Sequence, residues 1–109
     1  MLKSVCKSLA ITCLLALSTV AWADDAHWID VRTADEFSAG HVDGAVNIPY
    51  GEIIQRITEV TENKDELIYV YCRSGRRSGI AKDMLDEAGF IIVVNLGGLE
   101  DAKKAAASR

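Results

Sequence analysis

Leu67-Ile68-Tyr69-Val70-Tyr71-Cys72-Arg73-Ser74-Gly75-Arg76-Arg77-Ser78 is the stretch on which the fold turns. Its first five residues form a continuous apolar run, which reads as a strand buried on both faces, the signature of a parallel sheet. A glycine-containing polar turn, Cys72 to Arg77, follows it. Ser78 to Glu87 then reads as a helix, with Ile80, Met84 and Leu85 on one side and Gly89 as its C-cap. Downstream, Ile91 to Val94 reads as another buried strand, and Gly97-Gly98 turns the chain into an Ala-rich helix from about Leu99. Upstream, Ile53, Ile54, Ile57 and Val60 recur at helical spacing, which predicts a helix from Glu52 to Val60, with Asn63-Lys64-Asp65 as the turn after it. Ala45 to Ile48 predicts a small strand closed by Pro49, which cannot continue a ladder. Trp28 to Val31 predicts the first strand, with Thr33 capping a short helix over Ala34 to Ser38 that Gly40 stops. Strands alternate with helices throughout. The expectation is one α/β domain: a small central, mostly parallel sheet, right-handed crossovers and helices on both faces.

The chain has 109 residues and a net charge of -4, and its N-terminus stands apart from the rest. Lys3 and Lys7 make a basic start, Leu9 to Val20 is apolar, and Ala21-Trp22-Ala23 is a small-x-small cleavage site. Residues 1–23 therefore read as a signal peptide, with 24–109 as the mature domain and the periplasm as its destination. An uncleaved anchor is the alternative, but the apolar stretch falls short of the roughly 20 residues that span a bilayer. Cleavage leaves 86 of the 109 residues, and losing Lys3 and Lys7 moves the net charge from -4 to -6. An acidic chain with few aromatics is a poor partner for nucleic acid, because phosphate contacts need a basic surface. No membrane contact is expected after cleavage, and a monomer is expected.

Cleavage also removes Cys6 and Cys13, so Cys72 becomes the sole thiol. A lone cysteine in an oxidising compartment cannot staple the fold within one chain; it is inert, paired between molecules or reactive. Its placement argues for reactivity. Ligands of parallel α/β sheets bind beyond the C-terminal ends of strands, where the next helix offers free N–H groups and a positive dipole end. Three arginines lie within five residues of Cys72, which should favour its thiolate. Gly75 lets the loop curl so that successive N–H groups form an anion nest. Outside the loop, seven basic groups face sixteen acidic ones in the mature chain. The arginines are then a positive spot on an acidic body, suited to a small anion. The competing reading makes Cys72 a small buried hydrophobe and the arginines a solvated patch.

Cys72 to Arg77 resembles the active-site pattern C-x-x-G-x-R of the rhodanese family. Asp30-Val31-Arg32, Glu36-Phe37, Gly40-His41-Val42-Asp43-Gly44-Ala45, Asn47-Ile48-Pro49 and Gly97-Gly98 match the family's other landmarks in order. The resemblance covers essentially the whole mature chain and is strongest to exported single-domain members. It implies a rhodanese-like fold and a thiosulfate sulfurtransferase without cofactor. Cys72 would take a sulfane sulfur from thiosulfate as a persulfide and pass it to cyanide, another small thiophilic acceptor or a thiol protein. The backbone of Arg73, Ser74, Gly75, Arg76 and Arg77 would cradle the persulfide, and the Arg73 side chain would hold thiosulfate. Many members carry an aromatic residue shortly after the double glycine, whereas Leu99-Glu100-Asp101 stands here.

Two other functions compete. A phosphatase or arsenate reductase of the Cys-x5-Arg type needs a longer loop. Here Arg77 follows Cys72 by five positions and position 78 is Ser, so the loop suits a single sulfur better than a tetrahedral oxyanion. A non-catalytic rhodanese-like module that binds a partner or carries sulfur is the other, and such modules often lack the cysteine. His41, in a Gly-flanked turn, and His27, at the start of a strand, read as structural. A zinc site is not expected, since one Cys and two His are separated at no recognised ligand spacing. Asp30 and Arg32 are expected to tie the strand end to neighbouring loops.

Overall fold

The computed structural model describes residues 26–109. The signal-peptide reading, with Cys6 and Cys13, lies outside the described residues. Four strands form one sheet: β1 (His27–Asp30), β2 (Val46–Asn47), β3 (Ile68–Tyr71) and β4 (Val93–Asn95), in the order β2-β1-β3-β4. All the pairings are parallel, with Asp30 opposite Tyr71 and Val70 opposite Asn95. The helices are α1 (Ala34–Ala39), α2 (Ile53–Arg56), α3 (Arg76–Glu87) and α4 (Leu99–Ala107). None of the helices among the described residues is long and apolar enough to cross a membrane.

The alternation of side chains along a strand divides the interior in two. Ile29, Val31, Ile68, Val70 and Cys72 point to one face, where Ile48, Ile53, Ile57, Ala81, Leu85 and Phe90 cover them. Trp28, Tyr69 and Tyr71 point to the other, under Val42, Leu96, Leu99 and Ala102. Helices thus cover both faces, α2 and α3 on one and α4 on the other. The chain leaves β1 towards β2 on one side and leaves β3 towards β4 on the other, so the sheet's switch point lies between the C-terminal ends of β1 and β3. Crevices at such points are where open parallel sheets bind ligands. Arg32 and Cys72 emerge there.

Three elements differ from the sequence expectation. The stretch Glu52 to Val60 is not one helix. A 3-10 turn (Tyr50–Glu52), α2 and a second 3-10 turn (Ile57–Glu59) share it, none with a side-chain cap. Ile53 and Ile57, one turn apart, are buried in the core with Val60 packed partly against it, while Ile54 is exposed, so the segment is held by a narrow apolar edge. The run Ile91 to Val94 is not buried: β4 is an edge strand, Ile91 is 72% exposed, and only Val93 faces the core. An apolar run was read as covered on both faces although the sheet ends there. The third helix begins at Arg76 and not at Ser78, because Gly75, at φ 100°, turns the chain directly into it. That conformation suits glycine alone at little cost.

The first helix matches its expected cap. Thr33 Oγ1 accepts from the Glu36 N–H (3.2 Å) while the Glu36 carboxylate accepts from the Thr33 N–H (3.1 Å), a reciprocal capping box. Leu99 starts α4 in place of an aromatic neighbour and packs into the Trp28–Tyr71 cluster, and Asp101 Oδ2 accepts from the Gly98 N–H at 3.1 Å.

Candidate active site

Cys72 follows the last residue of β3 and is 1% exposed. Its N–H donates to the Gly97 carbonyl (3.0 Å), which continues the sheet pairing into the loop. The loop then doubles back: the Gly75 N–H donates to Cys72 Sγ at 3.0 Å, and the Ser78 hydroxyl lies 3.4 Å from the same sulfur. Burial pushes the thiol up. The Ser78 hydroxyl and the amides of Ser78, Ser74 and Gly75 outweigh it and bring the group down to about 7. Hydrogen bonds donated to the charged form stabilise it. Alkylation by a neutral reagent such as iodoacetamide should therefore rise with pH through a midpoint near 7, because the thiolate is the reacting species. A midpoint at the ordinary thiol value, about 8.5, would mean that the amides do not act on the sulfur.

The arginines are divided in their tasks. Arg77 was expected beside the anion site, but its guanidinium grips Glu36 at 2.8 and 3.0 Å. That grip holds the Glu36 carboxyl down at about 2 and fastens α1 to α3. Arg77 still acts electrostatically on Cys72, though the hydroxyl and the amides are the main stabilisers of the thiolate. Arg76 is exposed in the first turn of α3. Arg73 lines a cleft of about 410 Å³ together with Arg32, Glu36, Leu99, Glu100 and Asp101. In the cleft, then, Arg32 and Glu36 are bound in ion pairs, and Arg73 is the loop arginine among its lining residues.

The double glycine supports the loop from behind. A Cβ on Gly98 would stand 2.5 Å from the Arg73 carbonyl oxygen, and one on Gly75 would stand 3.4 Å from Gly97 Cα. The two loops pack backbone against backbone, which leaves no room for a side chain at Gly98.

Asp30 and Arg32 do what was expected of them. The Arg32 Nε and Nη2 donate to the buried Asp30 carboxylate at 2.9 and 2.6 Å, and Nη2 also donates to the Gly40 carbonyl at 2.7 Å. Asn47 Nδ2 donates to the carbonyls of Asp30 and Arg32, locking β2 to the same corner. His41 stacks on Phe37 with ring centroids 3.6 Å apart, and its Nδ1 lies 2.8 Å from the Phe37 carbonyl oxygen, a structural role. His27 is likewise held, with Nε2 2.8 Å from Glu66 Oε1.

Sequence reasoning missed Ser78, Asn95 and Glu36. Ser78 was taken as the first residue of a helix, yet a small hydroxyl residue on the same side as Ala81 and Leu85, three and seven positions on, lies on the covered face of that helix and needs a polar partner there. Glu36 was placed as a landmark only, and its partner is 41 residues away.

The chain matches the rhodanese-like domain family over residues 16–105. It is 47% identical over 75 residues to the thiosulfate sulfurtransferase PspE of Escherichia coli K12, covering 69% of this chain and 72% of that one. It is 41% identical over 68 residues to the putative sulfur carrier protein YrkF of Bacillus subtilis, covering 62% of this chain and 36% of the relative. Among solved structures it superposes on a rhodanese with anions from E. coli with a TM-score of 0.68 at 46% identity, covering 70% of this chain and 89% of that one. With the four-stranded parallel sheet and the Cys72 loop at its switch point, these likenesses establish that the chain belongs to the rhodanese family.

Proposed function

We propose that this protein is a thiosulfate sulfurtransferase in which Cys72 carries the sulfur. The observation that carries the reading is the cluster of donors around one sulfur, with the Gly75 N–H at 3.0 Å and the Ser78 hydroxyl at 3.4 Å. The Cys72 thiolate attacks the outer sulfur of thiosulfate. The S–S bond of thiosulfate breaks, its electron pair leaves with sulfite, and Cys72 becomes a persulfide. An acceptor nucleophile, cyanide or the thiolate of a small molecule or thiol protein, then attacks the outer sulfur and Cys72 departs as thiolate. The amides of Ser74, Gly75 and Ser78 stabilise the anion at both ends of this cycle, at the start of α3 where the helix dipole adds to them. The loop closes directly on Sγ, which favours transfer of a single sulfur over phosphoryl chemistry.

Export rests on residues 1–23 alone and belongs to the same proposal. Intact mass measured on protein from the periplasmic fraction tests both parts. Before incubation it should match a chain that starts at Asp24, and after thiosulfate it should increase by one sulfur atom. A chain that starts at Met1, or no added sulfur, would overturn the corresponding part.

Arg73 is the group assigned to the donor. Thiosulfate is a dianion approaching an acidic body, so its capture should depend on salt, with a screening length of about 10 Å at 0.1 M. Arg73→Ala should lower kcat/KM for thiosulfate by about fivefold to thirtyfold, the scale of one charge-assisted contact. Across a salt series the parent's thiosulfate rate should fall more steeply than its alkylation by iodoacetamide. Equal salt slopes and an unchanged kcat/KM in Arg73→Ala would make Arg73 a solvated side chain only.

A further inference from the structure

Asn95 ends β4 and has both ends of its amide engaged. Nδ2 donates to the Gly75 carbonyl at 3.0 Å, and Oδ1 accepts from the Gly97 N–H at 2.9 Å. Turning the amide over would set two donors face to face at Gly97 and two acceptors face to face at Gly75, so its orientation is fixed. The fixed Oδ1 lies 2.6 Å from Ser78 Oγ, and that same hydroxyl lies 3.4 Å from Cys72 Sγ. A serine hydroxyl has one proton to donate. While Cys72 is a thiol, the short contact directs that proton to Asn95. Once the sulfur is an anion, only a donated proton helps it, and the hydroxyl must turn from Asn95 to Sγ. Oδ1 is not orphaned by the turn, because the Gly97 N–H remains on it.

We propose that Asn95 is a positioning residue for Cys72: it holds the loop through Gly75 and competes for the Ser78 proton, so setting how strongly that hydroxyl supports the sulfur anion. The proposal rests on the reading of Cys72 as the sulfur carrier. In that cycle the charge lies on Sγ in the free enzyme and moves to the outer sulfur in the persulfide. Ser78 can serve Sγ in the first state and return to Asn95 in the second, with no polar group left unpaired in either. The charged groups that bear on the sulfur from the packed elements are Arg77 of α3 and, through it, Glu36 of α1, with Tyr50 beside Arg77. None of them bonds to Asn95 or Ser78.

The experiment is a double-mutant cycle read by iodoacetamide alkylation of Cys72 across pH, with parent, Ser78→Ala, Asn95→Ala and the double variant. Any loosening of the loop from the lost Gly75 bond occurs in both backgrounds and cancels. With Ser78 present, Asn95→Ala frees the hydroxyl for the thiolate. Its midpoint shift should be lower by at least about half a pH unit than its shift in the Ser78→Ala background. Asn95→Asp keeps the shape and competes harder for the proton, so its coupling to Ser78 should have the opposite sign; it also serves if Asn95→Ala does not fold, as judged by urea midpoints. Equal shifts with and without Ser78, in either variant, overturn the proposal. The readout is alkylation and not sulfur transfer. A protein that alkylates with this coupling but takes no sulfur from thiosulfate refutes the functional reading, whereas an active enzyme with no coupling refutes the role of Asn95.

Discussion

Cys72→Ser should reduce sulfur transfer from thiosulfate to background, a loss of about a thousandfold or more, as for removal of a nucleophile elsewhere. The oxygen of serine is not ionised near neutral pH, and it cannot hold sulfur as a persulfide that a thiol or cyanide would discharge. The fold should survive, because serine is nearly isosteric with cysteine. Its Oγ can accept from the Gly75 N–H, which now donates to Sγ at 3.0 Å. The cost is that of setting a hydroxyl where a buried thiol stood, about 1–3 kcal/mol if poorly paired, which urea denaturation would measure beside turnover. Cys72→Ala run in parallel separates chemistry from packing, since both variants must lose transfer if sulfur is the carrier. Retained turnover in a folded Cys72→Ser would sink the assignment of the nucleophile and with it the persulfide cycle.

What was legible in the sequence was local. The apolar run ending at Tyr71, the glycine turn and the helix after it are neighbours along the chain, so periodicity and turn chemistry alone place Cys72 at a strand end before a helix N-terminus. Thr33, just ahead of Ala34, likewise reads as the N-cap of the first helix. What was not legible depends on partners brought from far away. Ser78 meets Asn95 across 17 residues and Arg77 meets Glu36 across 41, and no pattern along the chain records such pairings. The charge argument was therefore right in direction and incomplete in cause. Arginines near a cysteine suggest a stabilised thiolate, yet amides and one hydroxyl are what offset its burial, while one arginine is engaged by a carboxylate. The edges of the sheet were misread for a related reason. Ile91 and Val94 are as apolar as Ile68 and Val70, and only the strand order tells which run has a neighbour on each side.

The largest effect on stability should come from Asp30. Its carboxylate is fully buried and accepts from the Arg32 N–H at 3.0 Å and from the guanidinium at 2.6 to 3.1 Å, while Arg32 itself is 6% exposed. Asp30→Ala leaves a buried cation with only the Gly40 carbonyl and opens a void under Tyr71. Breaking one side of a buried pair costs about 3–5 kcal/mol, out of roughly 4–13 kcal/mol for a domain of this size. The variant should thus be largely unfolded or melt at far lower urea than the parent. Arg32→Met should be costly too, because it strands the carboxylate. The double variant Asp30→Ala with Arg32→Met has no orphaned charge, so its loss should fall well short of the sum of the two single losses. That non-additivity is the decisive measurement. Additive losses, or a cost below about 1 kcal/mol for Asp30→Ala, would place the pair with surface ion pairs and remove it as the clasp of the corner. The clasp matters to the chemistry because it holds the wall of the cleft that Arg73 faces. A double variant that is stable but binds thiosulfate more weakly would show that the pair is kept for the shape of that wall rather than for the stability of the domain.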